Sequence, residues 1–416
     1  MSGKKQLKLD IDYVRSCFPT FSEPLAAKTA FLDNAGGSYV LGSVLDKLIH
    51  FYRFNKVQPY GVNEIARLAG EQMDAGRQTM IDLLGMPADT ITLGPSTTQN
   101  INTLALACSA IVNNKSEVIV SQQDHEANIG AWERLCQRSG AQLRIWELDS
   151  QSGELDIADL ENLLNPAVKI VCLTHSSNIL GSINPVEEVV EMCRANGSRI
   201  VVDGVSFVPH QWPNLSTFQP DAYVFSTYKT YATHLGVMYV ARDFAEELDA
   251  QCHYFNTGYG EKRFDAAGPD HASIAALAGL RDYFVESHHH HFGNSRVSLK
   301  KKANQLSGLM HQHETDLCDL LLDGIAALPL RIIGKKTAKW REANISLVSE
   351  KYSPAELCAA LAKEDIATNH GDFYARRLLD KLALTKANEG VLRISLAHYN
   401  TKEEILRTVS ALQALH

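Results

Sequence analysis

From about residue 70 the chain repeats one pattern: a short run of β-branched and aliphatic residues, then a longer amphipathic stretch with helical spacing. The runs are Ile91-Leu93, Val118-Val120, Leu143-Trp146, Ile170-Leu173, Ile200-Val202 and Tyr223-Phe225, followed by Val237-Val240. The helical patterns between them cover 97–110, 128–139, 156–164 and 186–195. Apolar runs this short suit strands buried on both faces, and strict alternation imposes right-handed βαβ units. The fold class is therefore α/β, a large and mostly parallel sheet between helical layers, with ligands expected at the carboxyl ends of the strands.

Beyond about residue 272 the pattern changes. A long helical stretch, expected to break near His288 to His291, resumes over 297–327. Strands at 330–333, 344–348 and 391–396 then mix with helices at 354–364, 373–382 and 402–414. Ser353 with Glu356, and Thr401 with Glu404, read as capping boxes that open two of these helices. The organisation expected is a large cofactor domain over 45–285 and a smaller α+β domain over 286–416. Residues 1–44 form an N-terminal segment that packs on the small domain or crosses to a partner.

Composition narrows the function. Lys and Arg number 40 against 48 Asp and Glu, a net charge of -8. Phosphate-backbone binding needs a basic face, so nucleic acid is an unsuitable partner and a small molecule a suitable one. No window reaches the about 18 uninterrupted apolar residues of a membrane helix, and the start MSGKKQLKLDIDYV lacks an apolar signal core, so a cytoplasmic location is expected. Eight cysteines, at 17, 108, 136, 172, 193, 252, 318 and 358, show no CxxC and no close pair. That scatter suits buried thiols in a reducing compartment.

The chemistry is read from the strand ends in order. Leu93-Gly94-Pro95 runs into Ser96-Thr97-Thr98-Gln99, which reads as a capping box; the free N–H groups and hydroxyls of such a helix start seat a phosphate, or simply cap the helix. The next strand exits into Asp124-His125-Glu126, the next into Thr174-His175-Ser176-Ser177-Asn178, the next into Asp203-Gly204. His125 alone reads equally as a solvated loop residue and Asp203 as a turn residue. The strand at 221–225 ends in Ser226-Thr227-Tyr228-Lys229. A phosphate seat, a ring-stacking His, an Asp and then a Lys on successive strand ends match what pyridoxal phosphate (PLP) requires. Lysine forms the Schiff base, a carboxylate keeps the pyridine nitrogen protonated, and a helix start holds the phosphate.

On these residues, and on Phe31-Leu32-Asp33-Asn34-Ala35-Gly36 and Arg393 to Thr401, the chain resembles the fold-type I PLP enzymes of the class V aminotransferase family, nearest its cysteine desulfurase-like branch. The resemblance implies that Lys229 is the Schiff-base lysine, Asp203 the partner of the pyridine nitrogen, and His125 the residue that stacks on the ring and relays protons. Thr97, Thr98, Ser226 and Tyr228 are implied around the phosphate, Asn178 near the phenolic oxygen, and Ser206 where desulfurases carry Gln. Arg393 matches the arginine that grips the substrate carboxylate; a strand-surface Arg is the plain alternative. Asn34 and Gly36 fall on the substrate side. Arg263 to His271 resembles the segment that reaches the neighbouring subunit's cofactor, so a homodimer with His271 at the partner's site is implied.

Desulfurases need a thiolate on a loop that corresponds here to Ile366 to Tyr374, which holds no cysteine, and Cys358 reads as core packing. The expected activity is therefore PLP-dependent carbon–sulfur lyase or desulfurase-like β-elimination without a persulfide cysteine. The alternatives are transamination, amino-acid epimerisation, and a non-catalytic PLP-binding protein. The His288 to His291 run is expected to be a pH-sensitive surface patch in preference to a metal site.

Overall fold

The computed structural model describes residues 7–384 and 390–416; residues 1–6, within the basic start, fall outside it. The strands are β1 (Ala30–Phe31), β2 (Ile91–Gly94), β3 (Glu117–Ser121), β4 (Gln142–Trp146), β5 (Val168–Thr174), β6 (Arg199–Asp203), β7 (Ala222–Ser226), β8 (Gly236–Val240), β9 (Leu330–Ile333), β10 (Asn344–Ser349), β11 (Ile366–Ala367), β12 (Asn369–Gly371) and β13 (Val391–Ser395). Seven of them form one sheet in the order β2-β8-β7-β6-β5-β3-β4. Only β8 runs antiparallel to its neighbours, β2 and β7.

Period-two alternation sorts the side chains of this sheet into two cores. Val118, Val120, Cys172, Val201, Val224 and Met238 pack with Ile101, Leu104, Trp132 and Leu135 from the helices Thr97–Ala107 and Ala127–Ser139. Ile119, Val171, Leu173, Val202, Phe225 and Val237 face the opposite layer, which includes Met73, Met80, Val189 and Leu280. Both faces are covered, so every strand end that projects a polar residue does so at one edge of a dry sheet.

The chain's last third carries the second sheet, antiparallel throughout, in the order β12-β13-β10-β9. Its core joins Ile345, Leu347, Leu392 and Ile394 to Leu317, Leu321, Leu357 and Ile405. Two of the three expected capping boxes form in full, at Ser353 with Glu356 and at Thr401 with Glu404, while at Ser96 the structure shows only the half in which Ser96 Oγ accepts from the Gln99 N–H. The N-terminal segment bridges the two units. Val14, Phe18 and Leu41 enter the large core, while Ala30 and Leu32 enter the small one, where β1 pairs parallel with β11.

One expectation is corrected. The helix Ala278–Phe292 does not break at the histidine run; it continues through all four residues and ends at Gly293, whose φ is +77°. The expected boundary at 285–286 falls inside it. Histidine is an indifferent helix former, and tertiary contacts decide here. His288 is buried and its Nε2 bonds Gln305 Oε1 at 3.0 Å, while the His290 ring stacks on Tyr13 at 3.9 Å. His291 Nδ1 donates to the Ser287 carbonyl and its Nε2 accepts from the Asp10 N–H. The run is thus a clasp for the N-terminal helix Ile11–Ser16 more than a solvated patch.

Candidate active site

The carboxyl edges of β2, β3, β5, β6 and β7 converge on one cleft beneath the small domain. Its floor is set by glycine. On β8, Gly236 faces Gly94 of β2 and Ser226 of β7, and a Cβ there would lie 2.3 Å from the Ser96 carbonyl carbon and 2.5 Å from the Thr97 nitrogen. That close approach brings the start of the helix Thr97–Ala107 against the end of β7. Ser96 Oγ accepts from the Gln99 N–H, and Thr97 Oγ1 and Ser226 Oγ lie 2.7 Å apart. Thr98 is exposed at the same helix start. Tyr228 stacks flat on His234 at 4.5 Å, an aromatic wall the sequence reading did not include.

Lys229 ends the turn Thr227–Lys229 that leaves β7. Burial and the positive charge of Arg393 lower its pKa to about 8, against the pull of Asp203 and Asp33. An amine so placed is still mostly protonated near physiological pH, but its neutral, nucleophilic fraction is far larger than that of an ordinary lysine. Asp203, the last residue of β6, is 4% exposed and its Oδ1 accepts from the Val205 N–H at 2.8 Å. Burial raises its pKa to about 6, with that hydrogen bond and Lys229 opposing. A carboxylate held here at such cost is suited to a cationic partner.

His125 follows β3. Its Nδ1 accepts from the Ala127 N–H at 3.0 Å, which leaves the proton on Nε2. Burial, then Lys229 and Arg393, push its pKa down to about 4, so the ring is neutral. Asn178, after β5, donates through Nδ2 to the Phe373 carbonyl at 2.9 Å, but its buried Oδ1 has no partner among the described residues. Ser206 lines the same cleft.

Arg393 lies mid-strand on β13 and is 3% exposed, so it is no surface residue. Its guanidinium sits 3.7 Å over the Phe373 ring, Nη2 meets Asp33 Oδ1 at 3.3 Å, and Nε is buried without a partner among the described residues. The Asn34 amide is spent internally: Nδ2 donates to Phe31 O, Ser395 O and Asn400 Oδ1, and Oδ1 accepts from the Tyr399 hydroxyl. Gly36 closes the turn, donating its N–H to the Asp33 carbonyl. His271 does not join this cleft. It opens the helix His271–Ala276, and the charges acting on it are Lys56, Asp270 and Arg77.

Three further contributors, Asp33, Phe373 and Asp124, were assigned no role from the sequence. Asp33 arrives from the segment before the first strand of the sheet, and Phe373 from well beyond its last. Asp124 is fully buried beside His125, bonded to Ser121 Oγ and to Asn128 Nδ2, and burial raises its pKa to about 7. Its spacing of four from Asn128 across a helix start was the signal available.

The cleft fits PLP on its own chemistry. It offers a low-pKa lysine, a buried carboxylate, a neutral histidine, a hydroxyl-rich helix start, and an orphaned buried amide oxygen at Asn178. The comparisons agree. The profile of the family "Aminotransferase class-V" matches residues 30–408. An aminotransferase-like protein of Gibberella zeae is 28% identical over 421 residues, spanning 97% of this chain and 98% of its own. A cysteine desulfurase of Escherichia coli is 27% identical over 428 residues, spanning 99% of each. Among solved structures, the apo cysteine desulfurase from Thermococcus onnurineus superposes with a TM-score of 0.83 at 22% identity, covering 97% of each chain. A C-DES mutant with glycine covalently linked to its PLP cofactor superposes at 0.76 and 17% identity, covering 96% of this chain and 98% of that one, and at such identities the likeness speaks for the fold. The chain belongs to the aminotransferase class-V family and is a PLP-dependent enzyme, similar to cysteine desulfurases.

Proposed function

We propose that this enzyme catalyses β-elimination on an amino acid, in the manner of a carbon–sulfur lyase or desulfurase, without a persulfide-bearing cysteine. The observation that carries the reading is the composition of the wall over the cleft. The stretch from β11 through β12 to Tyr374 supplies His370, Asp372, Phe373 and Tyr374 but no thiol. The last cysteine of the chain, Cys358, turns its Sγ to the Thr368 carbonyl at 3.2 Å. Cys108, Cys136, Cys172, Cys193 and Cys318 are buried, and burial raises each thiol well above its ordinary pKa, the opposite of what a sulfur acceptor requires.

In this reading Lys229 holds the cofactor, Asp203 supplies the carboxylate for the pyridine nitrogen, and Thr97, Thr98, Ser226 and Tyr228 surround the phosphate. Asn178 and Ser206 serve the phenolic oxygen. PLP, when bound, provides the electron sink for the pair left at Cα. Lys229 Nζ, neutral above about pH 8, takes the Cα proton. His125 donates the proton it carries at Nε2, and the Arg393 fork orients the substrate carboxylate, with Asn34, its amide engaged internally, and Gly36 shaping the turn beside it. Transamination is the second reading, favoured by the name of the Gibberella relative.

The assembly proposed is a homodimer. Ile49, Tyr52, Phe54, Val62 and Ile65 on one side, and Tyr254, Phe255 and Tyr259 on another, are all more than 40% exposed. Apolar surface of that extent is suited to a second copy. Arg263 to His271, which does not serve the cleft of its own chain, would then face the partner's.

The test is a panel of amino acids including cysteine, cysteine sulfoxides and thioether conjugates, with sulfide, pyruvate, keto acids and racemised product measured together. Sulfide and pyruvate without any protein-bound persulfide are expected. Conversion of the cofactor to its amine form would instead establish transamination, and persulfide on any cysteine would overturn the proposal. Lys229→Ala should abolish the visible absorption band of the loaded protein.

A further inference from the structure

A second, smaller space shares Lys229 and Ser206 with the cleft but is not lined by His125. It is bounded by Lys229 and Ser206 of the large domain, by Ala35, and by Glu342, Asn344 and Ala397 of the small one. At about 20 Å³ it has room for one ordered water. Two of the residues that line it carry buried acceptors with no hydrogen-bond partner among the described residues: Oε2 of Glu342, 1% exposed, and Oδ1 of Asn344, 4% exposed. The other polar atoms of these side chains are engaged. Glu342 Oε1 accepts from Gln211 Nε2 at 3.1 Å, and Asn344 Nδ2 donates to the Asn178 carbonyl at 2.7 Å. An orphaned buried acceptor costs roughly 1–3 kcal/mol, and two in one wall call for a donor that serves both.

The groups facing Glu342 form an acid–base cluster. His210 Nδ1 meets Glu314 Oε2 at 2.7 Å, the second Glu314 oxygen has no partner among the described residues, and His311 Nδ1 stands 3.7 Å from Glu342 Oε2. Gln211 completes the ring. Burial raises Glu342 to about 7; burial lowers His210, but Glu314, with Glu342 behind it, outweighs that and holds it up to about 9. Charges stored in this cluster therefore change near neutral pH.

We propose that this cavity is a built water site, and that its water exchanges protons between Lys229 Nζ and Glu342. One proton leaves the lysine ammonium for the water, the water gives one to Glu342 Oε2, and the neutral lysine and neutral carboxyl that result balance the charge. Glu342 is thus a positioning residue for the protonation state of Lys229, acting through the water. This rests on Lys229 being the reactive lysine, which the cofactor band of Lys229→Ala tests separately.

Two measurements on the full chain decide it. A high-resolution crystal structure of the cofactor-free protein should show one water between Glu342 and Asn344; an empty cavity would overturn the proposal. Competitive acetylation across pH, read by mass spectrometry of the peptide carrying Lys229, gives the titration of that amine without any turnover. Glu342→Gln keeps the shape and the Gln211 contact, so the titration midpoint is expected to fall by about half a unit, roughly a threefold gain in labelling below the midpoint. A profile superimposable on the wild type and on the exposed control Glu161→Gln would refute the coupling even where the water is present.

Discussion

Replacing Gly236 by alanine tests how the phosphate seat is made. The added Cβ would stand 2.3 Å from the Ser96 carbonyl carbon, 2.5 Å from the Thr97 nitrogen and 2.6 Å from the Ser96 oxygen, all backbone atoms, where ordinary contact begins near 3.4 Å. About 1 Å of movement is required. β8 cannot supply it, because Gly236 is paired on one side with Gly94 and on the other with Ser226. The turn before the helix Thr97–Ala107 must therefore withdraw, and the 2.7 Å contact of Thr97 Oγ1 with Ser226 Oγ stretches past hydrogen-bonding range. Overpacking of this kind costs about 1–3 kcal/mol, and the lost bond about 1 kcal/mol more. A displacement of about 1 Å in a positioned anion site is expected to weaken PLP binding roughly 10- to 100-fold. Urea unfolding and equilibrium titration with PLP measure the two effects. Gly308→Ala, in open space on the helix Leu299–Ile325, serves as control and should leave PLP affinity unchanged. Wild-type PLP affinity in Gly236→Ala would show that the glycine does not set the seat.

Other substitutions probe charge. In Arg393→Lys the fork over Phe373 is replaced by a single ammonium, so amino acids should bind roughly 10- to 100-fold more weakly while the matching decarboxylated amines bind nearly as before; equal losses for both, seen in absorbance titrations, would place the arginine outside carboxylate recognition. The His210–Glu314 pair should make stability pH-dependent. Its histidine is raised above the ordinary value of 6.5 to about 9, so the stabilisation is complete below about pH 6.5 and disappears as pH rises through 9. Glu342, raised to about 7, acts with the same sign, since its contribution also fades as pH rises. Unfolding free energy should drop by on the order of 2 kcal/mol between pH 6 and 9.5, and clearly less in His210→Gln; identical pH slopes would contradict the pairing.

The sheet was legible because both its faces are buried, so its strands read as unbroken apolar runs, and the strand-end rule then located Thr97, His125, Asn178, Asp203, Ser226 and Lys229. Each of those residues stands within a few positions of a strand terminus, where local sequence and site coincide. Asp33 and Arg393 are different. They lie 360 positions apart and meet only because the N-terminal segment runs from the large core into the small one, a tertiary fact with no local trace. The histidine run failed for the converse reason: its composition suggested a loop, while Tyr13, Asp10 and Gln305 supplied the contacts that keep it helical. Buried acids such as Asp124 and Glu342 were invisible because ionisable residues are surface residues in most sequences, and only packing reveals the exceptions.

The wall over the cleft, carrying Phe373 and Tyr374, is fastened to the large domain. The Glu126 N–H donates to the Tyr374 carbonyl at 2.7 Å, Asn178 Nδ2 to the Phe373 carbonyl at 2.9 Å, and Arg377 grips Glu126 with Nε and Nη2 at 3.0 and 3.1 Å and Glu133 at 2.8 Å. These contacts hold Phe373 and Tyr374 at φ of 49° and 57°, left-handed conformations that cost non-glycine residues about 1–3 kcal/mol each. Such a segment relaxes when its fastening is cut. Arg377 and both its partners are about one-third or more exposed, so Arg377→Ala should change global stability by under about 1 kcal/mol. Because the strained backbone is released locally, hydrogen exchange and proteolysis over 372–377 should nonetheless accelerate about fivefold, and 0.5 M salt should reproduce part of the effect. If exchange there stays at the wild-type rate, the ion pairs are decoration and the wall is held by backbone alone. If it rises as expected, the wall beside His125 is held closed by these side-chain contacts, the arrangement that the proposed elimination without a persulfide cysteine calls for.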